Sequence, residues 1–188
     1  MSKKITELLI ETNVITSDEV ELYQYGFDLI TKKLMHMFLI LLIGLIGGHF
    51  LEMTFFLGAY VCLREYAGGY HARTIRGCYC CTMFVTLVSL AMLFIFRQLN
   101  IELICICMLI SGIVIWTQSP QEAPTKPLSE KEKALYGRKT RCNLLCMGIL
   151  FGIGCCLYRA SAEGIACAWI IQMAMLFIGR CFAKKYTV

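Results

Sequence analysis

Between residues 64 and 81 a largely apolar chain collects Arg64, Glu65, His71, Arg73, Arg76 and three cysteines, Cys78, Cys80 and Cys81, punctuated by Gly68, Gly69 and Gly77. These are the ingredients of a thiol nucleophile and its base. A free thiol attacks carbonyls poorly until an imidazole or a positive field raises its thiolate fraction. His71 is the candidate base, the three cysteines are candidate nucleophiles, and the arginines supply positive field. The bland alternatives are plain: cysteines in apolar chains serve as small hydrophobic fillers, and histidines sit at membrane surfaces as interfacial polar groups. Zinc binding by His71 and the three cysteines is disfavoured, because the ligands are bunched too tightly for paired-ligand loops.

Spacing constrains the pair. On one unbroken helix His71 and Cys78 would share a face yet stand roughly 10 Å apart in rise, beyond a hydrogen bond of about 2.6–3.2 Å. The chain must therefore bend. Gly77, or Gly68-Gly69, permits this.

Arg64, Gly68-Gly69, His71-Ala72 and Cys78 resemble the signature of the accessory gene regulator B (AgrB) family of bacterial membrane peptidases, and Ala123-Pro124 with Lys126-Pro127-Leu128 is similar to its second motif. The resemblance implies that His71 and Cys78 are the catalytic pair, with Arg64 and Gly69 shaping the site. It implies an activity as well. Such enzymes cut the C-terminal part from a short precursor peptide, hold the remainder as a thioester, and let a substrate thiol close a thiolactone, the precursor of a cyclic quorum-sensing signal. The extra Cys80 and Cys81 depart from the pattern; the family spacing selects Cys78. Glu65 is the nearby acid, placed to orient His71 or to pair with an arginine. The chemistry calls for no cofactor, metal or ATP.

Composition sets the setting for this chemistry. Of 188 residues, 58% are hydrophobic and 16% charged, against about 25% charged in soluble domains, and mean hydropathy is +0.66. An all-α integral membrane protein follows: a single domain of about six transmembrane helices plus an N-terminal amphipathic helix. No cleavable signal peptide is evident at the amphipathic start. Most of the 12 cysteines, such as Cys62, Cys105, Cys146 and Cys167, fall inside apolar segments and read as reduced packing residues.

Residues 1–33 are an interfacial segment, with Thr16 and Glu19 spaced as a capping box. Spans are expected at 34–50, 51–63, 79–96, 101–117, 142–158 and 164–182, with turns at 97–100 and 159–163. The second, 13 residues long, reaches only about 20 Å of a roughly 30 Å hydrocarbon core. A helix continuing through Arg64 and Tyr66 would carry the site, residues 64–81, into the interface. Residues 118–141 are the long basic loop. It holds Lys126, Lys131 and Lys133, and a helix start at Ser129 and Glu132.

If the N-terminus is cytoplasmic and six spans alternate, all but Arg97 and Arg159 of the 18 basic residues fall on the cytoplasmic side. That places His71 and Cys78 on the cytoplasmic face of a bacterial cell membrane. It also accounts for the net charge of +5 without nucleic acid. The implied partners are the bilayer and a short peptide with an amphipathic leader and an acidic tail, which the basic loop attracts. Gly148 and Gly152 are spaced for helix packing or a homodimer. The rival class is a non-enzymatic membrane scaffold or transporter. A transporter needs polar residues along its spans, and the acids there, Glu52 and Glu102, lie near span ends. A lipid acyltransferase is a third reading.

Overall fold

A computed structural model describes residues 6, 9–10, 12, 15–70, 74–122 and 128–184. His71 and Lys126 lie outside them, as do Ala123, Pro124 and Pro127. Among the described residues six α-helices have defined bounds: α1 Val20–Ile46, α2 Phe50–Ala67, α3 Ile75–Phe96, α4 Ile101–Gln118, α5 Glu130–Leu157 and α6 Arg159–Lys184. Among the described residues no strand forms; an isolated bridge joins Gly68 to Gln121. Five helices are long and apolar enough to cross a membrane. The sixth, α2, has 18 residues and carries Glu52, Arg64 and Glu65. The protein is therefore an all-α, multi-pass membrane protein. It divides into two compact units, Met1–Leu39 and Ile40–Val188.

In the first unit, the Thr16 backbone N–H donates to Glu19 Oε2 at 3.0 Å, and the Thr16 hydroxyl does so at 3.0 Å. The box caps a 3₁₀ turn, Ser17–Glu19. The helix that follows does not stop at Lys33. It runs on as α1 into the first apolar span, because no glycine or proline interrupts residues 27–43. The interfacial segment and the first span are thus one continuous helix.

In the second unit α6 is the hub, packing against α2, α3, α4 and α5. Its run from Ser161 to Trp169 is buried throughout. The helices alternate in direction. At one end, Arg159 on α6 donates to Phe96 O at 3.0 Å and Leu99 O at 2.6 Å, so the α3–α4 turn sits beside the start of α6. At the other end, the C-terminal ends of α2, α4 and α6 meet, joined by Gln121 and Tyr70. Arg64 and Arg180 belong to this second end, whereas Arg97 and Arg159 mark the first.

Further expectations change. The 159–163 segment is not a turn but the first turn of α6, where Arg159 Nε pairs with the buried Glu163 at 2.6 Å. An i,i+4 pair of this kind supports a helix. The short helix at Ser129 is continuous with the fifth span, giving the 28 residues of α5. Of the cysteines, all free thiols, only Cys167 is buried; Cys62, Cys146 and Cys156 face outward. Gly148 and Gly152 also face open space, so they pack no helix of their own chain.

Candidate active site

The required bend lies at Gly68-Gly69 and not at Gly77. Helix α2 continues through Arg64 and Tyr66 and stops at Ala67. Gly68 then adopts φ 76°, ψ −148°, and Gly69 φ 114°, a region essentially reserved for glycine. Gly77 sits inside the first turn of α3, its N–H donating at 3.1 Å to the hydroxyl of the N-cap Thr74. Helix α2 therefore ends at Ala67 and α3 begins at Ile75. The pair need not lie on one helix axis, although His71 itself falls outside the described residues.

Residues 68–70 form a strap bound across the C-terminal half of α6. Gln172, fully buried, donates to Gly68 O at 2.9 Å. Tyr70 N–H donates to Met175 O at 3.1 Å. Arg64 donates through Nη1 to Gly68 O at 2.6 Å and through Nη2 to Tyr70 O. Gln121 N–H donates to Ala67 O at 3.0 Å. With its carboxamide turned to match its partners, Gln121 also donates to Leu176 O at 3.0 Å and accepts from Arg180 N at 2.9 Å. A side chain at Gly179 would meet Tyr70 N and Gln121 Oε1 at 2.8 Å, so the strap can lie this close only over a glycine. Gly69 is buried for the same reason: a Cβ there would run into Arg64 and the Met175 carbonyl.

Arg64 thus shapes the site by holding backbone. Its fork is committed to two carbonyls and not to Glu65, which is exposed. The net positive charge of Arg64 still acts on its surroundings. Tyr60 lies within electrostatic reach of Arg64, Cys81 and Cys78, and Cys81 within reach of Arg64 and Cys78.

The cysteines separate by face. At about 100° per residue, Cys81 falls about 60° from Cys78, and Cys80 about 160° away. Three thiols so arranged on one helix cannot converge on a single ion. Cys78 is exposed, in the first turn of α3, its N–H donating to Thr74 O at 2.9 Å. The first turn carries the positive end of the helix dipole.

From Glu130 onward the basic loop is helical, as the start of α5. Ser129 Oγ and backbone N each lie 2.8 Å from Glu132 Oε2, closing the predicted capping box. Lys133 bonds Glu122 at 2.7 Å and Glu130 at 2.8 Å, so its charge is already engaged. Lys139 sits 4.7 Å over the Tyr66 ring and Arg141 5.3 Å over Trp116. Lys131 is exposed. Sequence reading missed Gln121, Gln172 and Gly179. The two glutamines are polar residues in otherwise apolar surroundings, which is the signal that could have found them.

No solved structure matches the chain. An AgrB-like protein of Clostridium perfringens (strain 13 / Type A) is 25% identical over 177 residues, covering 93% of each chain. The family model of accessory gene regulator B matches residues 2–178, and the chain belongs to that family.

Proposed function

We propose that this protein is a membrane cysteine endopeptidase that cuts a short quorum-sensing precursor and activates it for cyclisation. Membership of the family supports a role in quorum-sensing peptide processing; the chemistry is the further step. His71 takes the proton of Cys78. The thiolate adds to a peptide carbonyl, the C–N bond breaks, and the amine of the C-terminal fragment leaves with the proton from His71. The acyl group stays on Cys78 as a thioester. His71, neutral again, takes the proton of a substrate thiol; that sulfur attacks the thioester carbonyl, Cys78 leaves as thiolate, and the ring closes with the acyl activation conserved. Water would compete for the thioester, so a dry surrounding favours the ring.

One observation carries this reading: Cys78 stands exposed in the first turn of α3, at the end of the bundle where Arg64 holds the Gly68–Tyr70 strap, and Cys80 lies about 160° round the helix from it. Lys131 is exposed to attract an acidic substrate tail, and the site faces the cytoplasm, where a newly made peptide would meet it.

The test is mass spectrometry of the reconstituted protein with precursor peptides carrying an internal cysteine. An adduct should form on wild type and on Cys80→Ala/Cys81→Ala, and disappear in Cys78→Ala. An adduct that persists in Cys78→Ala refutes the nucleophile. Absence of any adduct or cleavage favours the scaffold.

A further inference from the structure

We propose that the apolar cleft between α3 and α6, roofed by Tyr70, is the subsite for a bulky apolar side chain on the substrate residue whose carbonyl Cys78 captures. This rests on the peptidase reading and adds to it a specificity. The cleft has a volume of about 260 Å³ and is lined on α3 by Cys81, Val85 and Val88, and on α6 by Ala174 and Met175. Its position is the first reason. Cys81 lines the cleft and lies one turn beyond Cys78, about 60° round the helix. One turn is about 5 Å, the reach of a side chain attached beside the reacting carbonyl.

Its roof is the second reason. Tyr70 is fixed at both backbone ends, its N–H to Met175 O at 3.1 Å and its carbonyl to Arg64. Its ring lies 5.0 Å from that of Phe182. The strap that Arg64 holds therefore also contributes Tyr70 to the lining of the cleft, so the bonds that fix the strap fix one wall of the cleft.

Chemistry and size then select the occupant. Apart from the Cys81 thiol, the Met175 thioether and the Tyr70 hydroxyl, the lining side chains are hydrocarbon. A carboxylate or amide entering it would lose water without a replacement partner. At about 260 Å³ the cleft falls below the roughly 300–1,000 Å³ of whole-ligand pockets, so it suits one or two side chains and not a helix. A larger groove of about 500 Å³ between α4 and α5 is lined by Trp116, Leu145 and Ile149 but by no cysteine, and it has no link to the thiol.

The experiment uses the full-length protein in vesicles. Its substrate is a synthetic precursor with an amphipathic leader, a cysteine-bearing core and an acidic tail. It is made with Phe or with Ala at the residue that becomes the thioester, and kcat/KM for adduct formation is measured for each. Wild type should favour Phe over Ala, since a hydrophobic pocket discriminates by about 10–200-fold per methylene-sized change. Ala174→Phe, which adds a ring to the lining of the cleft, should lower the Phe-to-Ala ratio at least tenfold. Val88→Ala, which enlarges it, should raise the ratio for a still larger side chain such as Trp. Ile149→Ala in the other groove should leave the ratio where it was. If adducts form but Ala174→Phe does not move the ratio, the cleft holds lipid and the subsite is refuted while the peptidase reading stands. If wild type forms no adduct with either peptide, the peptidase reading fails and takes the subsite with it.

Discussion

The Gly68 carbonyl accepts from two side chains, the Arg64 guanidinium and the Gln172 carboxamide, and neither was evident as a pair in the sequence. Arg64 stood out as a charge next to an apolar run, and its effect on Cys78 could be foreseen as field. What could not be foreseen is that its fork would be used on backbone four and six residues ahead, because that depends on where the chain turns. Gln172 lies 104 residues from its partner, and no local pattern connects them. Replacing Gln172 with Leu removes one of the two donors to this carbonyl and leaves Arg64 as the other, at a cost of about 0.5–1.5 kcal/mol. Thermal unfolding in detergent should register that loss. Arg64→Lys removes the planar fork that spans two acceptors. With the strap displaced by an ångström or so, thioester formation should fall by about 10²-fold, measured as the rate of adduct formation on Cys78. An unchanged rate would mean that the strap does not position the nucleophile.

Elements show where sequence reading succeeds and where it stops. Both capping boxes were legible because their chemistry is local, three residues apart and written in residue types. The bend was not. A glycine permits a turn without requiring one, and Gly77 looked as suitable as Gly68-Gly69. The choice is made by distant partners, Gln121, Gln172 and Met175, which reward a strap at 68–70 and nothing at Gly77. Gly68→Ala should therefore be costly, about 1–3 kcal/mol for a side chain in a glycine-only conformation, and its Cβ would also meet the Gln121 carbonyl. Gly77→Ala, inside a helix, should be neutral or gain up to about 1 kcal/mol. Comparing the two melting temperatures checks the placement of the bend. The Glu19 box adds a pH dependence. Hydrogen bonds from the Thr16 N–H, then its hydroxyl, hold the Glu19 carboxyl below its ordinary 4.5. A depressed pKa contributes stability above the unfolded value that is lost as pH falls through the folded one. The amide protection factor at Ser17–Glu19, taken relative to the intrinsic exchange rate at each pH, should accordingly fall as pH drops through the lowered Glu19 value, and Glu19→Gln should remove that dependence.

At the scale of the whole molecule, the all-α membrane class was legible from composition, and the alternation of helices from the spacing of apolar runs. The details that escaped are those where a charged residue looked like a boundary. Lys32-Lys33 suggested an end to the amphipathic helix, and Arg159 to Glu163 a turn. Both lie within helices, the second because Arg159 and Glu163 satisfy each other at i,i+4 and Arg159 reaches back to the α3–α4 turn. The same charges define the last prediction. Arg64 and Arg180 belong to the end of the bundle that holds Cys78, and Arg97 and Arg159 to the opposite end. Positive charge resists translocation, so the Cys78 end should be cytoplasmic. A variant retaining Cys78 as its sole cysteine, treated with a membrane-impermeant maleimide, reports this directly. Labelling is expected in inverted vesicles and not in right-side-out ones, by a factor of at least ten. A cysteine placed at Gln98, in the α3–α4 turn, should show the reverse. If Cys78 is labelled from outside instead, a peptide synthesised in the cytoplasm would have to cross the membrane before being cut, and capture of a newly made precursor at this thiol would be ruled out.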